Sequence, residues 1–209
     1  MKQEPSENPA ALGSIAYELH GNLYLNITNR CSLRCSYCPK FNKIWTVQDY
    51  GLRLSTEPTV DLLLERVGDP CKYKQIVFCG LGEPSSRLDT VLEVSRALKH
   101  RGGSIRLNTD GLANLVHGRD VTTALADCLD EVSVSMNAQN RDVYIQHCRP
   151  KVTYSYEYML EFVRKLRSKM GGVSVTAIDG LKGVDIQQCQ KIAETMQVNF
   201  RTRTLGIVG

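Results

Sequence analysis

Eight of the 209 residues are cysteine, against a single tryptophan. Three of them fall together in Cys31-Ser-Leu-Arg-Cys35-Ser-Tyr-Cys38. Thiolates are the protein ligands of iron–sulfur clusters, and three at this spacing can hold three irons of one cubane. Ordinary four-iron clusters take four cysteines. Here the next cysteine in sequence is Cys71, so one iron is expected to lack a protein ligand. An open position on a metal reads as catalytic, by the logic that separates catalytic from structural zinc. Two plainer readings compete. A structural zinc site wants a fourth ligand, and His20 lies upstream across a predicted strand. Chance in a cysteine-rich chain is the other, and the position of the triplet directly after a strand counts against it.

Other residues have chemistry that depends on company. Gly80-Leu81-Gly82-Glu83-Pro84 could be an ordinary turn, or a place where backbone comes close to a ligand because no Cβ intervenes. Arg106, Arg201 and Arg203 could grip a carboxylate or phosphate with two-pronged hydrogen bonds, or sit solvated at a sheet edge. Cys79 in a strand, and Cys128 and Cys189 on apolar helix faces, read as core residues. Cys71 and Cys148 read as loop thiols without an assigned role.

These residues must be positioned by a βα rhythm. Strands are predicted over 23–28, 75–79, 104–109, 131–137, 173–178 and 200–205. Helices are predicted over 56–67, from a Ser86 cap to about 101, near 120–129, over 155–170, and from an Asp185 cap onward. Residues 39–55 read as a long loop beside the cysteines, with Phe41 and Trp45 either covering them or merely packing. Alternating strands and helices imply parallel strands joined by right-handed crossovers. Six units fall short of the eight of a closed barrel. Five of the strands alternate in polarity. One face carries Asn26 and Thr28, Arg106 and Asn108, Ser133, Ser135 and Asn137, Ser174 and Thr176, and Arg201 and Arg203. A parallel sheet covered on both faces would read as continuous Val, Ile and Leu. The expectation is therefore an α/β fold, an open partial (β/α)6 barrel with parallel strands, outer helices and a polar lumen. It is expected as a single domain over 1–209, with 1–20 a short extension and 39–55 a loop near the cluster.

With the cysteines at the end of the first strand, the sequence resembles the radical S-adenosylmethionine (SAM) superfamily. Its CxxxCxxC motif matches Cys31, Cys35 and Cys38, and Gly80 to Pro84 is similar to its GGEP motif, of which GxGEP is a usual variant. Within that superfamily the segments LYLNITNRC, IRLNTDG, EVSVSMNAQNRDVY and FRTRTL are most similar to the small TatD-associated radical SAM proteins. The resemblance implies a [4Fe-4S] cluster on Cys31, Cys35 and Cys38, with S-adenosyl-L-methionine chelating the fourth iron. It implies cofactor contacts at Tyr37, Gly80, Gly82, Glu83 (or the nearby backbone), Asn108, Ser135, Asn137 and Ile178. The reduced cluster would cleave SAM to methionine and a 5′-deoxyadenosyl radical, which takes hydrogen from a substrate. An electron donor such as flavodoxin or ferredoxin would supply the electron. Asn26, Arg106, Arg201 and Arg203 are the candidate substrate residues, for a small polar molecule that is anionic if the arginines point inward. No individual catalytic side chain is assigned.

Composition bounds the alternatives. Apolar residues are 42% and charged residues 23%, an ordinary globular balance. The net charge of +4 comes without runs of like charge and does not suggest nucleic-acid binding. No apolar run approaches a membrane span, and the first residues lack the layout of a signal peptide. A cytoplasmic enzyme is expected, with its pocket made by the barrel, the 39–55 loop and possible contact with a second copy. Its reaction class, lyase or oxidoreductase, is open. Alternative functions are a lyase or other enzyme acting on a modified purine or deazapurine of queuine type, a glycyl-radical activase, and a zinc-binding interaction module.

Overall fold

A computed structural model describes residues 13–206. Among these, seven strands form one sheet in the order β1-β2-β5-β6-β7-β8-β9. They are β1 (Ala16–Leu19), β2 (Asn22–Leu25), β5 (Ile76–Phe78), β6 (Ile105–Thr109), β7 (Glu131–Ser135), β8 (Val173–Asp179) and β9 (Asn199–Thr204). β3 (Thr46–Val47) and β4 (Tyr50–Gly51) make a separate two-stranded hairpin. From β2 to β9 every neighbouring pair is parallel. Because order in space follows order in sequence, each right-handed crossover lays its helix on the same side. Such a sheet winds as an open barrel, where a doubly wound sheet would reverse its order.

The helices are α1 (Val60–Val67), α2 (Leu88–His100), α3 (Ala113–His117), α4 (Thr122–Ala126), α5 (Arg141–Cys148), α6 (Ser155–Arg167) and α7 (Ile186–Thr195). Their apolar faces meet one side of the sheet. Leu25, Phe78, Leu107, Val134 and Val175 project from the strands into a core shared with Leu63, Val91, Leu98, Phe162 and Leu166. Each of these buried side chains contributes about 1.5–3 kcal/mol relative to exposure. The alternate strand residues face the lumen, as the polar half of the pattern requires. Asn108 lies opposite Ser133, Ser133 opposite Ser174, and Ser174 opposite Asn199, so one inner layer is polar across four strands.

Local chemistry moves several boundaries. Residues 16–19, expected as part of an extension, form β1, which pairs antiparallel with β2. Residues 1–12 of that extension lie outside the described residues. The helix expected from Thr56 starts at Val60, with the Thr59 hydroxyl accepting from Leu62 N as its cap; Pro58 precedes the cap instead of filling the first turn. Ser86 caps nothing. The Glu83 carboxylate caps a 3-10 turn over Pro84–Arg87, which runs straight into α2. Asp185 does cap α7, accepting from Gln188 N. Two helices were absent from the sequence reading, α3 and α5. The 39–55 segment is a 3-10 turn (Pro39–Asn42) followed by the β3–β4 hairpin. Val47 and Leu52 of this segment pack with Tyr17, Tyr24 and Val77 in a second apolar cluster, apart from the helix-backed core. Phe41 is exposed, with Arg34 and Lys40 over its ring, and Trp45 is half-buried under Arg53. No helix of the described residues is long and apolar enough to cross a membrane.

Candidate functional site

The cysteine loop leaves the C-terminal end of β2, where βα folds place their ligands. Hydrogen bonds fix it from three sides. Thr28 and Arg30 both donate to the Glu57 carboxylate, and Arg87 pairs with the same carboxylate at 3.4 Å. Ser32 donates to buried Asp110 at the end of β6. Arg34 N donates to Cys148 O at 3.1 Å and Ser36 N to His147 O at 2.8 Å, so the end of α5 grips the loop's backbone. His147 is itself held through Nε2, 2.8 Å from Lys182 O.

Cys31, Cys35 and Cys38 are all free and half-buried. Burial pushes the Cys31 thiol up, with Asp110 and Glu83 adding to the shift, and burial raises Cys38. Cys35 Sγ donates to Cys148 O at 3.7 Å, and the neighbouring Cys148 thiol together with burial raises the Cys35 thiol as well. Such thiols ionise only against strong positive charge, which iron supplies. No three His, Cys, Asp or Glu side chains among the described residues converge on a point where one metal ion could sit. Three cysteine thiolates are the donors that an iron–sulfur cubane takes, one on each of three irons, and the chemistry of this donor set fits such a cluster. Cys148 is the last residue of α5 and fully buried, not a loop thiol, and it is the cysteine that the fold brings beside Cys35.

The glycine motif serves the chain itself. A Cβ on Gly82 would stand 2.0 Å from Thr28 O and 2.9 Å from Arg30 O. A Cβ on Gly80 would meet Asn26 Oδ1 at 2.2 Å. These glycines let the loop after β5 lie against the start of the cysteine loop, and Glu83 N donates to Arg30 O at 2.6 Å. Both carboxylate oxygens of Glu83 are taken. Oε1 accepts from Ser85 N and Thr109 Oγ1, and Oε2 from Asp110 N. Burial and the neighbouring Asp110 push this carboxyl up to about 8.

Tyr37, Asn137 and Arg203 form a chain of contacts. Asn137 Nδ2 donates to the Tyr37 hydroxyl at 2.6 Å, and Arg203 Nη2 donates to Asn137 Oδ1 at 2.9 Å. The Tyr37 hydroxyl lies 3.6 Å from Cys148 Sγ. Ser135 and Ile178 stand on the same inner face, Ser135 opposite Thr176 and Ile178 opposite Arg203. Arg106 and Asn108 point inward from β6, lower in the lumen. Arg201 shares the face of Arg203 but is exposed. The Asn26 amide donates to Ser14 O at 3.1 Å and Leu52 O at 2.9 Å, while its Oδ1 is buried with no partner among the described residues. Thus Asn137 bridges Tyr37 and Arg203, while the Asn26 amide and the Glu83 carboxylate also tie distant segments of the chain together.

Sequence reading missed Asp110, Cys148, and the role of Cys79. The hydrogen-bonding of Asp110 and Ser32 joins residues 78 apart and leaves no local pattern. Cys148 was discoverable: Asn140 caps α5, and Tyr144 and Cys148 recur at helical spacing on its buried side. Cys79, read as core, sits at the lumen beside Asn108.

An open parallel barrel with a trio of free thiols at its C-terminal rim and a polar interior defines an enzyme class that works through an iron–sulfur cluster. Residues 25–196 match the Radical SAM superfamily, and the chain belongs to it. Members of this superfamily use a [4Fe-4S] cluster and S-adenosylmethionine and draw on an electron donor. A tungsten-containing aldehyde ferredoxin oxidoreductase cofactor-modifying protein of Pyrococcus furiosus is 34% identical over 92 residues, which is 43% of this chain and 23% of that relative. The chain thus matches under a quarter of that protein's length. Streptococcus suis SuiB bound to S-adenosylmethionine has a TM-score of 0.62 at 10% identity, over 88% of this chain and 40% of that one. TYW1 with a lysine-pyruvate adduct bound gives 0.61 at 14%, over 88% and 65%. At these identities the solved structures establish the fold, a partial barrel.

Proposed function

We propose that this chain is a radical SAM enzyme that takes a hydrogen atom from a small polar substrate bound in its lumen, in the cytoplasm. One observation carries the reading: the Cys31–Cys38 loop stands at the C-terminal rim of a lumen whose inner layer is polar across four strands. In this reading Cys31, Cys35 and Cys38 hold the cluster. When bound, the cluster and SAM supply a single electron and a carbon-centred radical able to take hydrogen.

The chain's own residues bind, orient and exclude. Tyr37, Asn137, Ser135 and Ile178 line the rim where the cofactor would lie, with Gly80, Gly82 and the Glu83 backbone behind the cysteine loop. The Tyr37–Asn137–Arg203 contacts hold that rim to the last strand. The β3–β4 hairpin shields one end from water through Val47 and Leu52, which matters because a reactive radical attacks whatever it can reach. Arg106 and Arg203 face the space left for substrate; Asn108, expected as a cofactor contact, stands beside them on the same inner face and is assigned here to the substrate side, and rigid strands fix their positions. The finer resemblance to TatD-associated radical SAM proteins belongs to this proposal. So does the local likeness to the P. furiosus cofactor-modifying protein, which supports the chemistry without naming a substrate.

Anaerobic reconstitution tests the reading. It should give a brown protein with about four irons per chain, and dithionite with SAM should yield 5′-deoxyadenosine. Colourless protein holding zinc tightly would support an interaction module instead.

A further inference from the structure

Arg106 and Arg203 both reach the lumen, and neither belongs to an ion pair among the described residues. Each has its Nε shielded from solvent with no hydrogen-bond partner. The same holds for Asn108 Oδ1, on the same inner face. A sheltered N–H without an acceptor is costly, and native structures rarely leave such groups unmet; Arg203 meets Asn137 Oδ1 through Nη2, which leaves its Nε unmatched. The acidic side chain nearest in register to Arg106 is Glu131, which is exposed and forms no ion pair with it.

The three side chains surround Cys79. Asn108 stands beside it, one step past the Phe78–Leu107 pair of neighbouring strands, and Arg203 and Arg106 both lie close enough to favour its thiolate, although burial outweighs them. Arg203 comes from β9 and Arg106 from β6, both on the inner face, and Cys79 lies within reach of both. Arg106 lies four residues before the end of the βα rim at Asp110, roughly 13 Å down the strand at about 3.3 Å per residue. That depth separates it from the rim where the cysteines stand.

We propose that Arg106, Arg203 and Asn108 form an anion seat around Cys79, and that it takes the carboxylate or phosphate end of the substrate. The two guanidiniums match the flat, two-oxygen edge of either group. The unpaired Asn108 Oδ1 asks for a donor on the same ligand, so a hydroxy- or amino-carboxylate, or a protonated phosphate, completes the seat. This deepens the function proposed above and rests on it. It sets the anionic end between Arg203, whose side chain touches Asn137 at the rim, and Arg106 deeper in the lumen.

The test uses the full chain, reconstituted without oxygen and saturated with SAM. Inorganic phosphate and lactate are titrated separately by calorimetry, which distinguishes the two sources of negative charge. One of them should bind with one site per chain. Arg106→Met and Arg203→Met should each weaken it by at least about tenfold. Iron content and melting temperature verify that the variants fold. As a second readout, the bound anion should slow alkylation of Cys79 by iodoacetamide, measured on its peptide. The seat is overturned if neither anion binds, if binding ignores both substitutions, or if SAM competes with the anion and so claims the guanidiniums for itself. A wild-type chain that cannot hold iron would instead sink the radical SAM reading on which the seat depends.

Discussion

The Asn137 side chain joins the cysteine loop to the last strand, its amide donating to the Tyr37 hydroxyl at 2.6 Å while its carbonyl accepts from Arg203 at 2.9 Å. Asn137 also has φ 57, a left-handed conformation that asparagine tolerates better than most side chains. Two substitutions separate these roles. Asn137→Gly keeps the backbone conformation and loses the bridge, at about 1–2 kcal/mol. Asn137→Ala adds backbone strain of about 1 kcal/mol or more. Denaturant melts should rank them in that order. SAM affinity, measured by equilibrium dialysis, should fall equally in both, because the bridge is what they both lack. Unchanged affinity in both would remove Asn137 from the cofactor rim.

Substituting the cysteines one at a time should sort them into two groups. Cys31→Ala, Cys35→Ala and Cys38→Ala should each abolish the visible cluster absorption. Cys71→Ala, Cys128→Ala and Cys189→Ala should keep about four irons per chain. Cys148→Ala decides more than any of these. Cys148 lies beside Cys35 and 3.6 Å from the Tyr37 hydroxyl. Retained iron would leave the cluster with three protein ligands and an open corner. Lost iron in a folded variant would make Cys148 a fourth ligand and remove the position that SAM needs.

What the sequence made legible was whatever follows from period and spacing. The parallel strands, the polar inner face of Asn108, Ser133 and Ser174, and the cysteine triplet all repeat at fixed intervals. What it hid depends on contacts between distant segments. Asn26 looked like a lumen residue by alternation, yet its amide clamps Ser14 and Leu52, which only the folded hairpin brings near. Glu83 looked like a ligand in a glycine turn, and the three donors that occupy it come partly from β6. β1 was invisible because a four-residue strand beside a turn carries too short a pattern to stand out.

Acid–base behaviour of the iron-free chain should report on Glu83. Its carboxyl is raised from an ordinary 4.5 to about 8, by burial first and by Asp110 second. The folded chain therefore holds this proton over a range where the unfolded chain has released it. The stabilisation is complete below pH 4.5 and is lost as pH rises toward 8, with a slope of up to ~1.4 kcal/mol per pH unit. Urea melts at several pH values should show stability falling across this window. Glu83→Gln mimics the protonated form and should flatten the slope. An equal slope in the variant would place the titrating group elsewhere.

Gly82 offers the sharpest test of how the glycine motif serves the cluster. Its absent Cβ would lie 2.0 Å from Thr28 O, and that atom is backbone, so no rotamer change can relieve the contact. Gly82→Ala must push residues 28–30 away, stretching the 2.6 Å bond from Glu83 N to Arg30 O and shifting the loop that begins at Cys31. The cost expected for such overpacking is about 1–3 kcal/mol, and iron uptake should slow because the thiols no longer start from their places. Gly51→Ala is the comparison, since nothing lies within 4 Å of its added methyl. It should change stability by less than about 0.5 kcal/mol and leave iron uptake alone. If Gly82→Ala loads iron as fast as Gly51→Ala, the glycine motif has no part in placing the cysteine loop. Its resemblance to a cofactor motif must then be explained by direct contact with SAM.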